Sequence, residues 1–362
     1  MTAVPPPATV GLSRAAILAW LRERDETQLA ALWQAADETR RRYVGDEVHL
    51  RGLIEISNHC ARQCAYCGLR AGNRSLERYR MTSAEVLECA RRAQQLGYGT
   101  VVLQAGDDPG LARDWLADLV RSIKRETGLA VTLSLGERSV ADMRAWRTAG
   151  ADRYLLRFET SDRQLYQLIH PPLPGQSSDR LALLSALHEL GYEIGSGIMV
   201  GLPGQTYASV ATDIELFRRL DLDMIGIGPF IAHPATPLGD GTLPIEVPAD
   251  QIPHDELTAL KVVALARLAC PEANIPATTA LATIDKERGY ELALQRGANV
   301  IMPDLTPLPY RLCYEIYPGK TALREAGADN GASLAQRLQR LGRRVGTGPG
   351  NRQRHTPPAG EA

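Results

Sequence analysis

Three cysteines fall within eight residues, in the run Ser57-Asn58-His59-Cys60-Ala61-Arg62-Gln63-Cys64-Ala65-Tyr66-Cys67-Gly68. Thiolates are soft donors that suit iron. A four-iron, four-sulfur cube normally takes four of them. A tight loop offering only Cys60, Cys64 and Cys67 leaves one iron open, able to bind a small molecule and pass it an electron. A closed structural zinc site is the alternative, but it needs four ligands and usually paired Cys-x-x-Cys units. His59 abuts Cys60 and would have to fold back to serve as the fourth. A disulfide framework fits poorly, because three is odd and the spacings are short.

The elements that must carry this loop follow from periodicity. Short apolar or alternating runs at 49–57, 100–105, 130–135, 154–159, 194–200, 224–230, 275–280 and 300–304 read as eight strands. Helical runs separate them. Thr82-Ser83-Ala84-Glu85 is a capping box that opens one. Gly97, Gly128, Gly150, Gly191 and Gly297 each follow such a run, where a helix C-terminal glycine belongs. Eight β-α units predict an α/β fold, a (β/α)8 TIM barrel. The expected division is a Pro-rich disordered tail (1–12), N-terminal helices (13–47) that cap the barrel bottom, the barrel (48–320), a C-terminal helical extension (321–345) and a flexible tail (346–362).

Such barrels do chemistry at the C-terminal ends of their strands, and polar residues interrupt the apolar runs there. The cysteine loop follows strand 1. Gln104, Gly106 and Asp107 follow strand 2, and Thr132, Ser134 and Glu137 lie on or after strand 3. Arg157, Glu159 and Thr160 end strand 4, Thr278 and Thr279 fall on strand 7, and Asp304 and Thr306 close strand 8. Arg157 and Glu159 share one face of their strand. They form either an interior ion pair or a site for a zwitterionic ligand, and polar strand ends favour the ligand. Gly201-Leu202-Pro203-Gly204-Gln205 lacks the Gly-Lys-Ser/Thr ending of a phosphate loop and reads as a turn.

Composition narrows the class. The chain has 362 residues, 44% hydrophobic, with a formal net charge of −1. That charge gives no basic footprint for nucleic acid. No apolar run approaches a membrane span, and the N-terminus does not have the pattern of a secretory signal. Six cysteines in this length do not make a disulfide scaffold. Cys89, Cys270 and Cys313 read as small buried hydrophobes. The setting expected is reducing and cytoplasmic.

The cysteine spacing, with Tyr66 just before the last thiol, resembles the radical S-adenosylmethionine (SAM) superfamily. The resemblance narrows to the FeFe-hydrogenase maturase HydE family. It is carried by Ile54-Glu55-Ile56-Ser57-Asn58, Tyr66-Cys67-Gly68-Leu69-Arg70, Val131-Thr132-Leu133-Ser134-Leu135-Gly136-Glu137, Met224-Ile225-Gly226-Ile227-Gly228-Pro229-Phe230, Ile275-Pro276-Ala277-Thr278-Thr279-Ala280 and Ala298-Asn299-Val300-Ile301-Met302-Pro303. It spans roughly residues 45–320. It implies a radical SAM barrel with Cys60, Cys64 and Cys67 holding a 4Fe–4S cluster. Tyr66, Ser134, Glu159, Arg180 and Met199 would line the SAM site. Gln104, Thr132, Arg157, Met224, Thr278, Thr279, Tyr314 and Tyr317 would line a substrate cavity. No acid–base catalytic residue is implied.

The family helps assemble the dithiolate-bridged di-iron part of the hydrogenase H-cluster. The implied partners are a small-molecule or organometallic iron–cysteine substrate, a ferredoxin- or flavodoxin-type reductant protein and other hydrogenase maturation proteins, with no nucleic acid and no membrane. Some members hold a second cluster on three further C-terminal cysteines. This chain has none after Cys313, so one cluster is expected. Phe158 stands where a His is common. A sister activity, methylornithine synthase or biotin-synthase-like sulfur insertion, is the enzyme alternative. The former would call for a carboxylate in the strand-7 motif, where Thr278-Thr279 is followed by Ala280-Leu281. A non-catalytic iron–sulfur carrier would have no need of Arg157, Glu159 and Arg180.

Overall fold

The computed structural model describes residues 12–320 and 331–354. Two helices, α1 (Arg14–Arg22) and α2 (Glu26–Val44), lead into β1 (Glu47–Ser57). Then come α3 (Ser83–Gln95), β2 (Thr100–Ala105), α4 (Arg113–Thr127), β3 (Ala130–Ser134), α5 (Val140–Thr148), β4 (Arg153–Leu155), α6 (Arg163–Ile169), α7 (Arg180–Glu189) and β5 (Glu193–Val200). The chain continues through α8 (Tyr207–Arg219), β6 (Met224–Pro229), α9 (Glu256–Ala269), α10 (Thr279–Ile284), α11 (Gly289–Gln295), β7 (Val300–Ile301), α12 (Leu308–Leu312), α13 (Gly331–Arg340) and β8 (Arg344–Val345).

The strands run parallel in the order β6-β5-β4-β3-β2-β1-β7. Single parallel bridges, Met224 to Asn274 and Pro276 to Val300, insert an extended segment between β6 and β7 and close the ring. The expected (β/α)8 barrel is therefore present, with one stave reduced to a few residues. β8 pairs with the first residues of β1, at Glu47 and Val48.

Local chemistry explains the helix starts. Thr82 and Glu85 form the expected reciprocal capping box on α3. Asp25, Ser139, Asp162, Asp179 and Asp255 accept from first-turn N–H groups of α2, α5, α6, α7 and α9. Helix α9 is apolar on nearly every side and is buried from Thr258 to Leu268. It packs against β5 and β6 on one side and α1, α2 and α8 on the other. The N-terminal helices thus cover the outside of α8 and α9. Only the end of α2, Tyr43 and Val44, comes beside the closing segment at the barrel bottom.

That end is closed by residues 346–354, which the sequence reads as a loose tail. The Gly350 carbonyl accepts from Arg51 Nη2 (3.0 Å) and from Asn274 Nδ2 (3.1 Å). The Pro349 carbonyl accepts from Thr100 Oγ1 (2.9 Å) and Arg153 Nη2 (2.8 Å). Arg352 pairs with Asp221 (2.7 Å) and Glu272 (3.2 Å). The disorder expected at 1–11, the start of the extension at 321–330 and the end of the tail at 355–362 lie outside the described residues. Among the described residues no helix is long and apolar enough to cross a membrane.

Candidate metal and cofactor centre

The cysteine loop leaves the C-terminal end of β1 and is tied down before any ligand enters. Arg78 donates to the carbonyls of Asn58, Leu69, Arg70 and Asn73 at 2.5–3.1 Å. The Asn58 amide donates to the Glu77 and Cys313 carbonyls, each at 2.7 Å. Ala65 N–H donates to the Ile169 carbonyl at the end of α6 (2.8 Å). Gly106 lets the β2 turn pass against the loop. A Cβ there would sit 2.4 Å from the His59 carbonyl oxygen and 2.7 Å from the Cys60 Cβ.

The three thiols are free, with Cys64 buried and Cys60 and Cys67 half-buried. Burial, then the neighbouring Cys60, pushes the Cys67 thiol up to about 12. Burial also pushes the Cys64 thiol well up. Thiolates here need a cationic partner, which iron supplies. Among the described residues no three His, Cys, Asp or Glu side chains converge on one ion position. A cube is ligated at separate irons, so this arrangement suits a cluster better than a closed zinc site.

The thiols open onto a cavity of about 250 Å³ inside the barrel mouth. Of the expected SAM-site residues, Tyr66, Ser134, Glu159, Arg180 and Met199 all line it. Of the expected substrate residues, Gln104, Arg157, Tyr314 and Tyr317 line it, with Ile316 beside the tyrosines.

Four others are placed elsewhere. Met224 starts β6 at the barrel floor, with its sulfur 2.9 Å from Arg51 Nη1. Thr132 pairs in register with Arg153, below the cavity, and its buried hydroxyl has no hydrogen-bond partner. Thr278 is the N-cap of α10 and Thr279 its first residue. The stave ends before them, so Thr278 donates to the Ile227 carbonyl (2.8 Å) and Ala280 reaches the cavity instead.

Glu159 has an unusual setting. It lies in the left-handed region at φ 63°, unusual for a non-glycine residue. Its carboxylate is about 9% exposed and 3.2 Å from Arg157 Nη2. Even so, Oε2 is buried with no hydrogen bond, and so is Arg157 Nε. A strained backbone holding an incompletely paired charge at a cavity wall is a feature of ligand sites. An ammonium group beside Oε2 and an anion beside Arg157 would complete the pairing.

A network of charged side chains lies under the cysteine loop, and the sequence does not show that its members meet. Arg62, within the loop, pairs with Asp107 and with Glu137 Oε2 (2.9 Å). Glu137 Oε1 accepts from Ser178 Oγ (2.8 Å) and Arg180 Nε (3.0 Å), with His170 Nε2 at 3.2 Å. Burial alone would raise the Glu137 carboxyl, but the His170 contact and the Arg180 and Arg62 charges bring it down to about 2. Burial lowers His170, against the raising effect of Glu137. Asp107 and Glu137 are visible in sequence as polar strand-end residues. His170 sits in Ile169-His170-Pro171-Pro172, where the only signal is a helix stopped by proline.

Residues 54–217 match the model of the Radical SAM superfamily. The chain is 48% identical over 324 residues to the FeFe hydrogenase maturase subunit HydE of Thermotoga maritima, covering 90% of this chain and 89% of that protein. It is 30% identical to the 3-methylornithine synthase of Methanosarcina acetivorans over 286 residues, 78% of this chain and 77% of that one. The crystal structure of methylornithine synthase (PylB) superposes with a TM-score of 0.75 at 26% identity, covering 92% of this chain and 94% of that one. Membership of the superfamily brings a 4Fe–4S cluster and SAM with it, and the three-thiol loop and the polar cavity fit both. This chain is a radical SAM enzyme and belongs to the HydE family of FeFe hydrogenase maturases.

Proposed function

We propose that the chain acts in assembling the dithiolate-bridged di-iron subcluster of the FeFe-hydrogenase H-cluster, with one 4Fe–4S cluster on Cys60, Cys64 and Cys67. A bound, reduced cluster supplies the electron that splits SAM into methionine and a 5′-deoxyadenosyl radical. The protein does the positioning and excludes quenchers. Glu159 takes the SAM amino group on Oε2, which faces Arg157 but accepts no hydrogen bond. Arg180 lies across the same cavity with its charge for the carboxylate, and Tyr66, Ser134 and Met199 complete the wall. Arg157 and Gln104 hold an anionic, iron–cysteine type substrate by charge-assisted hydrogen bonds. Tyr314, buried, and Tyr317, half-buried, line the cavity beside Ile316. Lys320 anchors the segment that carries them, through Glu55 at 2.5 Å. A reductant protein of ferredoxin or flavodoxin type supplies the electron, and the other maturation proteins supply and receive the iron complex.

The observation that carries this reading is the Glu159–Arg157 pair, left short of hydrogen bonds on the wall that also holds the three thiols. The test is anaerobic maturation of an apo-hydrogenase in a mixture lacking its HydE component. Adding this protein is expected to restore hydrogen evolution, and the Arg157→Met variant is expected to restore less than a tenth of it. No restoration by the wild type, together with conversion of lysine to methylornithine, would transfer the assignment to the sister mutase.

A further inference from the structure

His170 touches the cluster loop directly, and neither the cysteine motif nor the family match accounts for it. It is the C-cap of α6, 1% exposed, and fixed by the two prolines that follow. Its ring stacks on Tyr166 at 5.0 Å, 30° between planes, and lies alongside Tyr66 at 6.4 Å. Nδ1 is 3.0 Å from Cys64 Sγ and 3.3 Å from Tyr66 Oη. On the other side, Nε2 is 3.0 Å from Arg180 Nη2 and 3.2 Å from Glu137 Oε1.

The partners decide where the ring proton sits. A guanidinium has only N–H donors. A proton on Nε2 alone would set two N–H groups against each other at 3.0 Å. It would also aim the Nδ1 lone pair at Cys64, which as an iron-bound thiolate offers only lone pairs. A proton on Nδ1 removes both conflicts, at the cost of facing the Nε2 lone pair to Glu137 Oε1 at 3.2 Å, where Arg180 sits against both acceptors. Arg180 then donates to Nε2, and Nδ1–H donates to Sγ. Glu137 keeps its bonds from Arg180 Nε, Ser178 and Arg62.

We infer that His170 is a positioning residue that donates an Nδ1–H hydrogen bond to the Cys64 thiolate and so sets the reduction potential of the cluster, with Arg180 holding the tautomer. Hydrogen bonds to cluster sulfurs stabilise the more negative, reduced state and raise the potential. Outer partners that orient a ligand commonly tune the metal in this way. Arg180 would then link the SAM wall of the cavity to the cluster's redox balance. The inference rests on the cluster assignment made above.

The test is the midpoint potential of the reconstituted cluster, measured by EPR-monitored redox titration without SAM, in wild type, His170→Asn, His170→Gln and His170→Leu at matched iron and sulfide content. Asn places its amide N–H where Nδ1–H was, whereas Gln places it nearer Nε2. H170N is expected to hold the wild-type potential, with H170Q and H170L shifted to more negative values. If H170L takes up no cluster, the H170N against H170Q comparison carries the test. Equal potentials in all variants, or equal shifts in Asn and Gln, overturn the inference and leave the cluster assignment standing. A wild-type protein with no four-iron cluster overturns both.

Discussion

At the scale of single residues, the site sets function against stability at Glu159. A non-glycine residue in the left-handed region costs about 1 kcal/mol, and a buried oxygen without a hydrogen bond costs about 1–3 kcal/mol more. Glu159→Gly relieves both, offset by the roughly 0.5–1 kcal/mol entropic penalty of glycine and by loss of the 3.2 Å pairing with Arg157. This variant is expected to match or exceed the wild type by about 1 kcal/mol in anaerobic thermal unfolding while losing at least tenfold in SAM affinity. A large loss of stability would mean that Glu159 is a structural ion-pair partner.

Asp213 gives a second residue-scale prediction. It is buried in α8, where Oδ1 accepts from Ser161 N–H at 2.6 Å and Oδ2 has no partner. Burial, against the Ser161 hydrogen bonds, pushes its carboxyl up to about 7. With the folded value raised above the unfolded one, the native state binds the extra proton between the ordinary carboxylate range and about 7. Stability from this group is therefore full at acid pH and falls as pH rises through that window. The wild-type unfolding midpoint is expected to drop from pH 5 to pH 8 by more than that of Asp213→Asn. Parallel profiles would place the carboxyl in its ordinary range.

At the scale of elements, what the sequence shows depends on what holds each element. Helices and long strands hold themselves through apolar periodicity and caps, and these match within a residue or two at the start of α3 and at β5 and β6. The stave between β6 and β7 is made by isolated bridges and backbone hydrogen bonds around Asn274 and Pro276. Its run of apolar residues continues into α10, so a strand reading overshoots onto Thr278 and Thr279. The 346–354 segment is invisible for a related reason. Its bonds to Arg51, Thr100, Arg153 and Asn274 go to its own carbonyls, which carry no residue signature, and its Arg352 pairs with acids far off in the sequence. Only the buried Arg51 and Arg153 hint that a partner is needed. Gly99 tests that packing. A Cβ there would lie 1.6 Å from the Gly348 carbonyl oxygen. Gly99→Ala is expected to cost about 1–3 kcal/mol and to raise hydrogen exchange across 346–354. A neutral substitution would mean the segment does not seat there.

At the scale of the molecule, the barrel brings together what the sequence leaves far apart. The thiols come from the β1 loop, Ser134 from β3, Glu159 from beyond β4, Arg180 from the start of α7 and the tyrosines from the crossing at 314–317. The thiols are legible because their chemistry is local. The Arg62–Asp107–Glu137–His170–Arg180 network is legible only in part: Asp107 and Glu137 stand out as polar strand-end residues, but nothing in the sequence joins them to Arg62 and His170. The measurement that tests the central claim most directly is EPR of the anaerobically reconstituted, reduced protein with and without SAM, coupled to an assay for 5′-deoxyadenosine. The expected result is a cluster signal that shifts on adding SAM, with deoxyadenosine formed and about four irons per chain. A cluster whose signal does not move, and which leaves SAM intact, would make the protein an iron–sulfur carrier and contradict the account.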